Sequence, residues 1–189
     1  MNILEFIKTR RSIRKFLDQP VEKEHLDTIL EAARWAPSAG NCQPWRFVVV
    51  TDSQKIKKFD PFFHQPWVIS APAVIVVLAN PEDSRRRYGP TSEWFVQDCA
   101  AASQNMLLMA HGLGLGAVWI GAFGKEAVRE TLEIPSQLEV LGLICVGHYK
   151  HEGKVSLDGY VFSNNDRRNR KALERIAFDD DLNTPWSLK

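Results

Sequence analysis

The chain is poor in most of the features that would give a protein away. It has three cysteines, Cys42, Cys99 and Cys145, widely separated and without CxxC spacing. An odd number in that arrangement fits reduced thiols better than a disulfide framework or a zinc site, and each thiol is read as a small buried apolar residue. No apolar run reaches the roughly 18 residues that a membrane helix needs. An excess of one charge is also missing: 24 Lys and Arg against 23 Asp and Glu leave a formal net charge of +1, which gives no reason to expect a polyanionic partner such as nucleic acid. The five histidines show no metal-ligand spacing, and there is no GxSxG elbow and no GxxxxGK[ST] phosphate loop. Repeats, low-complexity tracts and linkers are absent as well, so the 189 residues read as one domain, 1–189. In MNILEFIKTRRS the charges follow the apolar residues, the reverse of a secretory leader, so a cytoplasmic location and no membrane partner are expected.

What is present is ordinary globular material, 44% apolar and 25% charged. Met1 to Thr9 reads as a short helix with Ile3, Leu4, Phe6 and Ile7 on one face. Glu22 to Ala36 reads as another, with Leu26, Ile29, Leu30 and Ala33 at helical spacing and Pro37 barring its extension. RFVVV is a β-branched strand, and a short helix is expected over Ser53 to Phe59 with Asp52 or Ser53 as its cap. AVIVVLA, Ala73 to Ala79, lacks polar alternation, which predicts a central strand covered on both faces. PEDSRRRYGP, Pro81 to Pro90, reads as a connection. Ser92 to His111 is the longest helix, apolar on nearly every side, ended by Gly112 and Gly114; a strand and turn in GAVWIGAF follow, then a short helix over Lys125 to Leu132 and a last strand in LEVLGLICVGHY. Helices and strands without a strict βαβ rhythm predict an α+β fold.

Four stretches carry chemistry. TRRSIRKF packs Arg10, Arg11, Arg14 and Lys15 around the Ser12 hydroxyl, a set that suits phosphate oxygens. Taken alone, it is read more simply as a cationic helix end. DRRNRK, Asp166 to Lys171, is a second basic cluster, and the two converge on one phosphate only if the distant segments pack together. No aromatics are interleaved with either, as a nucleic-acid groove would require. PSAGNCQPW is either a plain tight turn or a loop presenting the amides of Asn41 and Gln43, which donate and accept, to the edge of a heterocycle. The glycines of HGLGLGAVW end a helix and open a strand, the wrong order for a dinucleotide fingerprint. With no nucleophile and base standing out, any catalysis is assigned to a bound cofactor.

RRSIRKF, APSAGNCQPWRFVVV, APAVIVVLA, DCAAASQNMLLMAHGLGLGAVWIGAF and RNRKALERI, in this order along nearly the whole chain, resemble the nitroreductase family of FMN-dependent flavoproteins. The resemblance implies a mixed, largely antiparallel β-sheet covered by helices in an intertwined homodimer, with FMN sites at the subunit interface. It implies cofactor contacts from Arg10, Arg11, Ser12 and Arg14, and from Arg168 and Arg170 toward the phosphate. Pro37, Ser38, Ala39 and Asn41 would lie along a ring bound mainly to the other chain, and Ile120, Gly121 and Ala122 at its reactive edge. The tail around Trp186 is expected against the partner. The implied activity is hydride transfer from NADH or NADPH through FMN to a small electron-poor acceptor, such as a nitroaromatic or a quinone, by two-step exchange. Dehalogenation or similar chemistry on the same fold, or non-catalytic flavin binding, are the alternatives. Gly121 stands where well-known relatives carry glutamate, and Trp119 where some carry proline. His64, Gln65 and Trp67 either face the ring or pack the core.

Overall fold

The computed structural model describes residues 2–59, 65–150, 154–157, 160–163, 170–180, 182–184 and 186. Its centre is the run AVIVVLA. Ala73–Ala79 forms strand β2, and every residue of it is buried. β2 pairs antiparallel on one side with β1, Trp45–Val50, in a register that sets Val74 opposite Val50. On the other side it pairs antiparallel with β4, Glu139–Gly147, with Val74 opposite Cys145 and a register shift between Val77 and Leu78. β3, Gly116–Ile120, completes the order β1-β2-β4-β3, again antiparallel.

The alternation of side chains along β2 divides the core in two. Ala73, Ile75, Val77 and Ala79 face a layer built by α2, Lys23–Arg34, and α6, Trp94–Gly112. Val74, Val76 and Leu78 face the opposite layer with Ile56, Phe59, Trp67 and Val128. That second layer holds α3, Ser53–Ile56, α4, Pro66–Ile69, and α7, Lys125–Thr131. A strand apolar at every position is therefore the residue pattern of an antiparallel strand with helices on both faces, because neither set of alternating side chains meets water. Truncating a side chain as deep as Ile75, which is fully buried, costs about 2–5 kcal/mol in general.

α6 is the spine of the first layer. It buries Phe95, Cys99, Ala102, Met106 and Ala110, and Asn105 Nδ2 donates to the Ala32 carbonyl at 3.0 Å, tying it to α2. Gly114, at φ +73°, turns the chain out of α6 and into β3. Cys99 and Cys145 are buried as expected, their thiols pushed up to about 12 by desolvation, while Cys42 is half-buried.

Three elements depart from the sequence reading. Pro81–Tyr88 is a helix, α5, and not a connection: Asn80 Oδ1 accepts the Glu82 N–H at 3.3 Å and Pro81 takes a first-turn position where no donor is needed. α4 and a two-stranded hairpin, β5 (Lys154–Leu157) with β6 (Tyr160–Ser163), were not expected. The first helix, α1, spans Ile3–Thr9, and none of its residues is buried; Ile3 is 80% exposed and Leu4 58%.

Candidate functional site

The first basic stretch begins where α1 ends. Arg10 is its C-cap, and Arg11 Nη1 donates to the carbonyls of Lys8 at 2.9 Å and Arg10 at 2.8 Å, collecting acceptors that a helix end leaves open. The chain then runs along the edge of β3. Ser12 forms a parallel bridge with Ala117, and the Ile13 N–H donates to the Ala117 carbonyl at 3.0 Å. Gly116 permits this approach, since a Cβ there would sit 2.6 Å from Ile13 Cγ2. Ser12 and its neighbours are thereby fixed to the sheet by backbone.

Arg10 is half-buried, and Arg170, from the far end of the sequence, lies close enough to act on it: desolvation first and Arg170 second hold its guanidinium below the ordinary arginine value. Among the described residues no carboxylate forms an ion pair with Arg10. Two like charges brought together without a carboxylate on one of them fit an anion with oxygens to share. Arg168 lies outside the described residues.

Arg14 and the turn after β3 meet through α4. The Arg14 guanidinium stands 5.6 Å from the Trp67 ring, and Gln65 Nε2 donates to the Ala122 carbonyl at 3.0 Å. Trp67 and Gln65 are buried, so of the three residues left open by sequence two serve to hold the Ile120–Gly121–Ala122 turn and Arg14; His64 lies outside the described residues. Ile120 is buried while Gly121 and Ala122 are exposed. A Cβ built on Gly121 meets nothing within 4 Å, so the backbone of this turn is open to close approach.

The loop after α2 is built differently. Gly40, Asn41 and Gln43 have φ of +51°, +59° and +49°, and Ala39–Asn41 forms a 3-10 turn. Only glycine adopts this backbone cheaply, and at position 40 a Cβ would also meet the Tyr88 hydroxyl and lie 2.6 Å from Arg87 Nε. The strain is held by hydrogen bonds. The Ala39 N–H donates to Asp98 Oδ1 at 2.9 Å, the Gln43 N–H to Ser38 Oγ at 3.1 Å, and Arg87 Nη1 to the Gly40 carbonyl at 2.9 Å. The Gln43 amide bends back onto the Asn41 carbonyl, whereas Pro37 and Asn41 are exposed.

Asp98 is 6% exposed, and its Oδ2 has no hydrogen-bond partner among the described residues. Burial raises its pKa against the opposing effect of the Ala39 N–H. Sequence reasoning missed Asp98 and Arg87. The signal for Asp98 was present: an acid inside the apolar run FVQDCAAA must find a donor once buried.

The structure thus brings Arg10, Arg11, Ser12, Arg14, Arg170 and the 120–122 turn toward the β3 side, and places Pro37, Ser38, Ala39 and Asn41 elsewhere. Asp98, holding the loop, is in the first half of α6; His111, beside Arg10 and Arg11, is in its last turn. At about 1.5 Å per residue, roughly 20 Å separates them. In the tail, the Trp186 N–H donates to the Ala177 carbonyl at 2.9 Å, a local contact.

Comparison with known proteins places the sequence and the fold among described relatives. The sequence model described as the Nitroreductase family matches residues 7–70 and 61–148. A protein of Archaeoglobus fulgidus assigned by name to NADH dehydrogenase/NAD(P)H nitroreductase is 43% identical over 154 residues, covering 79% of this chain and 86% of its own. The NADPH-flavin oxidoreductase of Vibrio harveyi is 34% identical over 158 residues, covering 78% of this chain and 65% of its own. The structure of an FMN-dependent nitroreductase from Clostridium difficile superposes with a TM-score of 0.69 at 32% identity, over 82% of this chain and 92% of that one. The chain belongs to the Nitroreductase family.

Proposed function

We propose that the chain is an FMN-dependent oxidoreductase that takes hydride from NADH or NADPH and delivers it to a small electron-poor acceptor. The observation that carries this reading is the half-buried Arg10 beside the exposed Arg170, guanidiniums drawn from opposite ends of the sequence. Such a pair, with the Ser12 hydroxyl close by in sequence, suits a phosphate monoester. Arg14 and the exposed backbone of Gly121 and Ala122, held by Gln65 and Trp67, fit the ring end of the same cofactor. Bound there, FMN would supply the two-electron chemistry that links a nicotinamide donor to a nitroaromatic, quinone or activated-alkene acceptor in a two-step exchange.

The protein's share is position and charge. A cation such as Arg14 near the ring favours the negative charge that two-electron reduction leaves behind. The open turn at Gly121 leaves room for donor and acceptor to stack in succession, and no protein acid or base is needed for the transfer itself.

The site is read as shared between two copies of the chain. One copy holds the basic end and the loop at opposite ends of α6, so two copies with their α6 helices antiparallel bring the loop of each to the basic end of the other. The exposed apolar face of Ile3, Leu4 and Ile7, the 73% exposed Trp35, and a groove of about 440 Å³ among Phe6, Ala32, Trp35, Leu108 and Met109 support a second copy as its cover.

Flavin titration tests the reading. Arg10→Ala with Arg170→Ala removes two charge-assisted contacts of about 1.5–3 kcal/mol each, so FMN affinity is expected to fall by 100-fold or more in a fluorescence titration. Retention of full FMN content by the double variant would reject the assignment.

A further inference from the structure

The basic end of α6 holds a titratable group that the hydride chemistry does not use. His111 stands in the last turn of α6, its ring tilted against Phe6 with centroids 5.0 Å apart. Its Nε2 lies 2.9 Å from Thr9 Oγ1, and Thr9 Oγ1 lies 2.9 Å from the Phe6 carbonyl. A carbonyl only accepts, so the threonine proton goes to Phe6. The threonine oxygen then accepts from His111, which fixes the hydrogen on Nε2 and leaves Nδ1 to take a second proton.

The groups around this imidazole are mostly cationic. Arg10 and Arg11 face it from the segment after α1, and Arg170 in turn lies close to Arg10. Lys8 of α1 is tied to Glu5 at 3.0 Å, and Glu31 of α2, across the groove that Phe6 and Gly112 line, is engaged by Arg34 and Trp35. Desolvation and the two arginines push His111 below the ordinary histidine value, so it is neutral near pH 7 in the apoprotein.

We propose that His111 is a further residue of the phosphate site, and that a phosphate monoester entering beside Arg10 and Arg170 is bound with uptake of one proton on this imidazole. The inference rests on reading the basic end as the FMN phosphate site. An incoming dianion cancels the field that keeps the ring neutral, and the resulting imidazolium adds a cation to the site while keeping its N–H to Thr9. By linkage, whatever raises the proton affinity of His111 is itself bound more tightly by the protonated form. The phosphate's own second ionisation near 6 runs in the opposite sense, so the imidazole and not the affinity alone is the quantity to follow.

The experiment is a pH titration of the histidine ring signals in the full-length protein, carried out free, with saturating FMN, with riboflavin, and with inorganic phosphate. His111→Gln assigns the signal and keeps a neutral N–H donor toward Thr9. FMN and inorganic phosphate are each expected to raise the His111 midpoint by about one pH unit, a tenfold gain in proton affinity, and riboflavin to leave it in place. In calorimetry with two buffers of different ionisation heat, FMN binding should take up a proton in the parent protein and none in His111→Gln. An unmoved His111 midpoint, with FMN still bound far more tightly than riboflavin, overturns this inference and spares the proposed function. Equal affinity for FMN and riboflavin, or no FMN binding at all, overturns both.

Discussion

At the loop end of α6, Asp98 accepts the Ala39 N–H, Ser38 accepts from Gln43 and Arg87 donates to Gly40, so the loop's polar groups are spent on one another. At the other end Arg10 and Arg11 bring positive charge to His111, and Arg170 brings more to Arg10. The first region is a preformed shape whose unusual backbone is stabilised from within. The second carries an electrostatic cost that an anion would relieve. Stability should therefore be sensitive to substitutions in the loop and change little when Arg10 is replaced, with FMN affinity, on the proposed reading, showing the reverse.

The sharpest test of that contrast is Asp98. Replacing it with alanine removes a hydrogen bond to a charged acceptor, about 1.5–3 kcal/mol, and urea unfolding should show a loss on that scale. Asp98→Asn keeps an oxygen for Ala39 and sheds the buried charge, so it should match the parent at neutral pH. Because the folded-state pKa of Asp98 is raised, the native state holds its proton longer than the unfolded chain does. Its contribution thus turns more favourable as pH falls through that window, and Asp98→Asn should flatten the trend. An asparagine variant as damaged as the alanine one would mean that the charge itself holds the loop.

Gly40→Ala comes next. A left-handed backbone costs a non-glycine residue about 1–2 kcal/mol, and the new methyl displaces Arg87 and Tyr88. Faster amide exchange confined to residues 38–43, with little change in the sheet, is the expected reading. The smallest effect belongs to the basic end. His111 has a lowered folded-state pKa, so its share of stability is complete above the ordinary histidine value of about 6.5 and declines as pH falls toward the folded value. His111→Gln should remove that part of the acid-side slope, seen as the difference between the two melting-temperature profiles.

Much of this organisation was legible in the residues. β-branched runs without alternation marked β1, β2 and β4, and the apolar wrap of FVQDCAAASQNMLLMA marked α6, because burial on both faces leaves no place for polar side chains. α5 was missed because PEDSRRRY has almost no apolar stripe; its signal lay at its start, where Asn80, Pro81 and Glu82 form a cap, a first-turn proline and an early acid. The β5–β6 hairpin had its own mark, Asp158-Gly159 between two β-prone runs. The juxtaposition of Arg10 and Arg170 was a conjecture from two basic clusters, since proximity between segments so far apart depends on packing that no local pattern encodes. Asp98 was hidden by the opposite effect, a lone acid in a helix whose apolar neighbours dominated the reading.

The bridge between Ser12 and Ala117 bears on more than the placement of side chains. By lying against the outer margin of β3, the amino-terminal segment occupies backbone groups that would otherwise invite a stray strand from a neighbouring molecule. Edge protection and the proposed phosphate contacts are in this way combined in one short piece of polypeptide. Trimming it would strip away a cation cluster and uncover an adhesive border in the same cut.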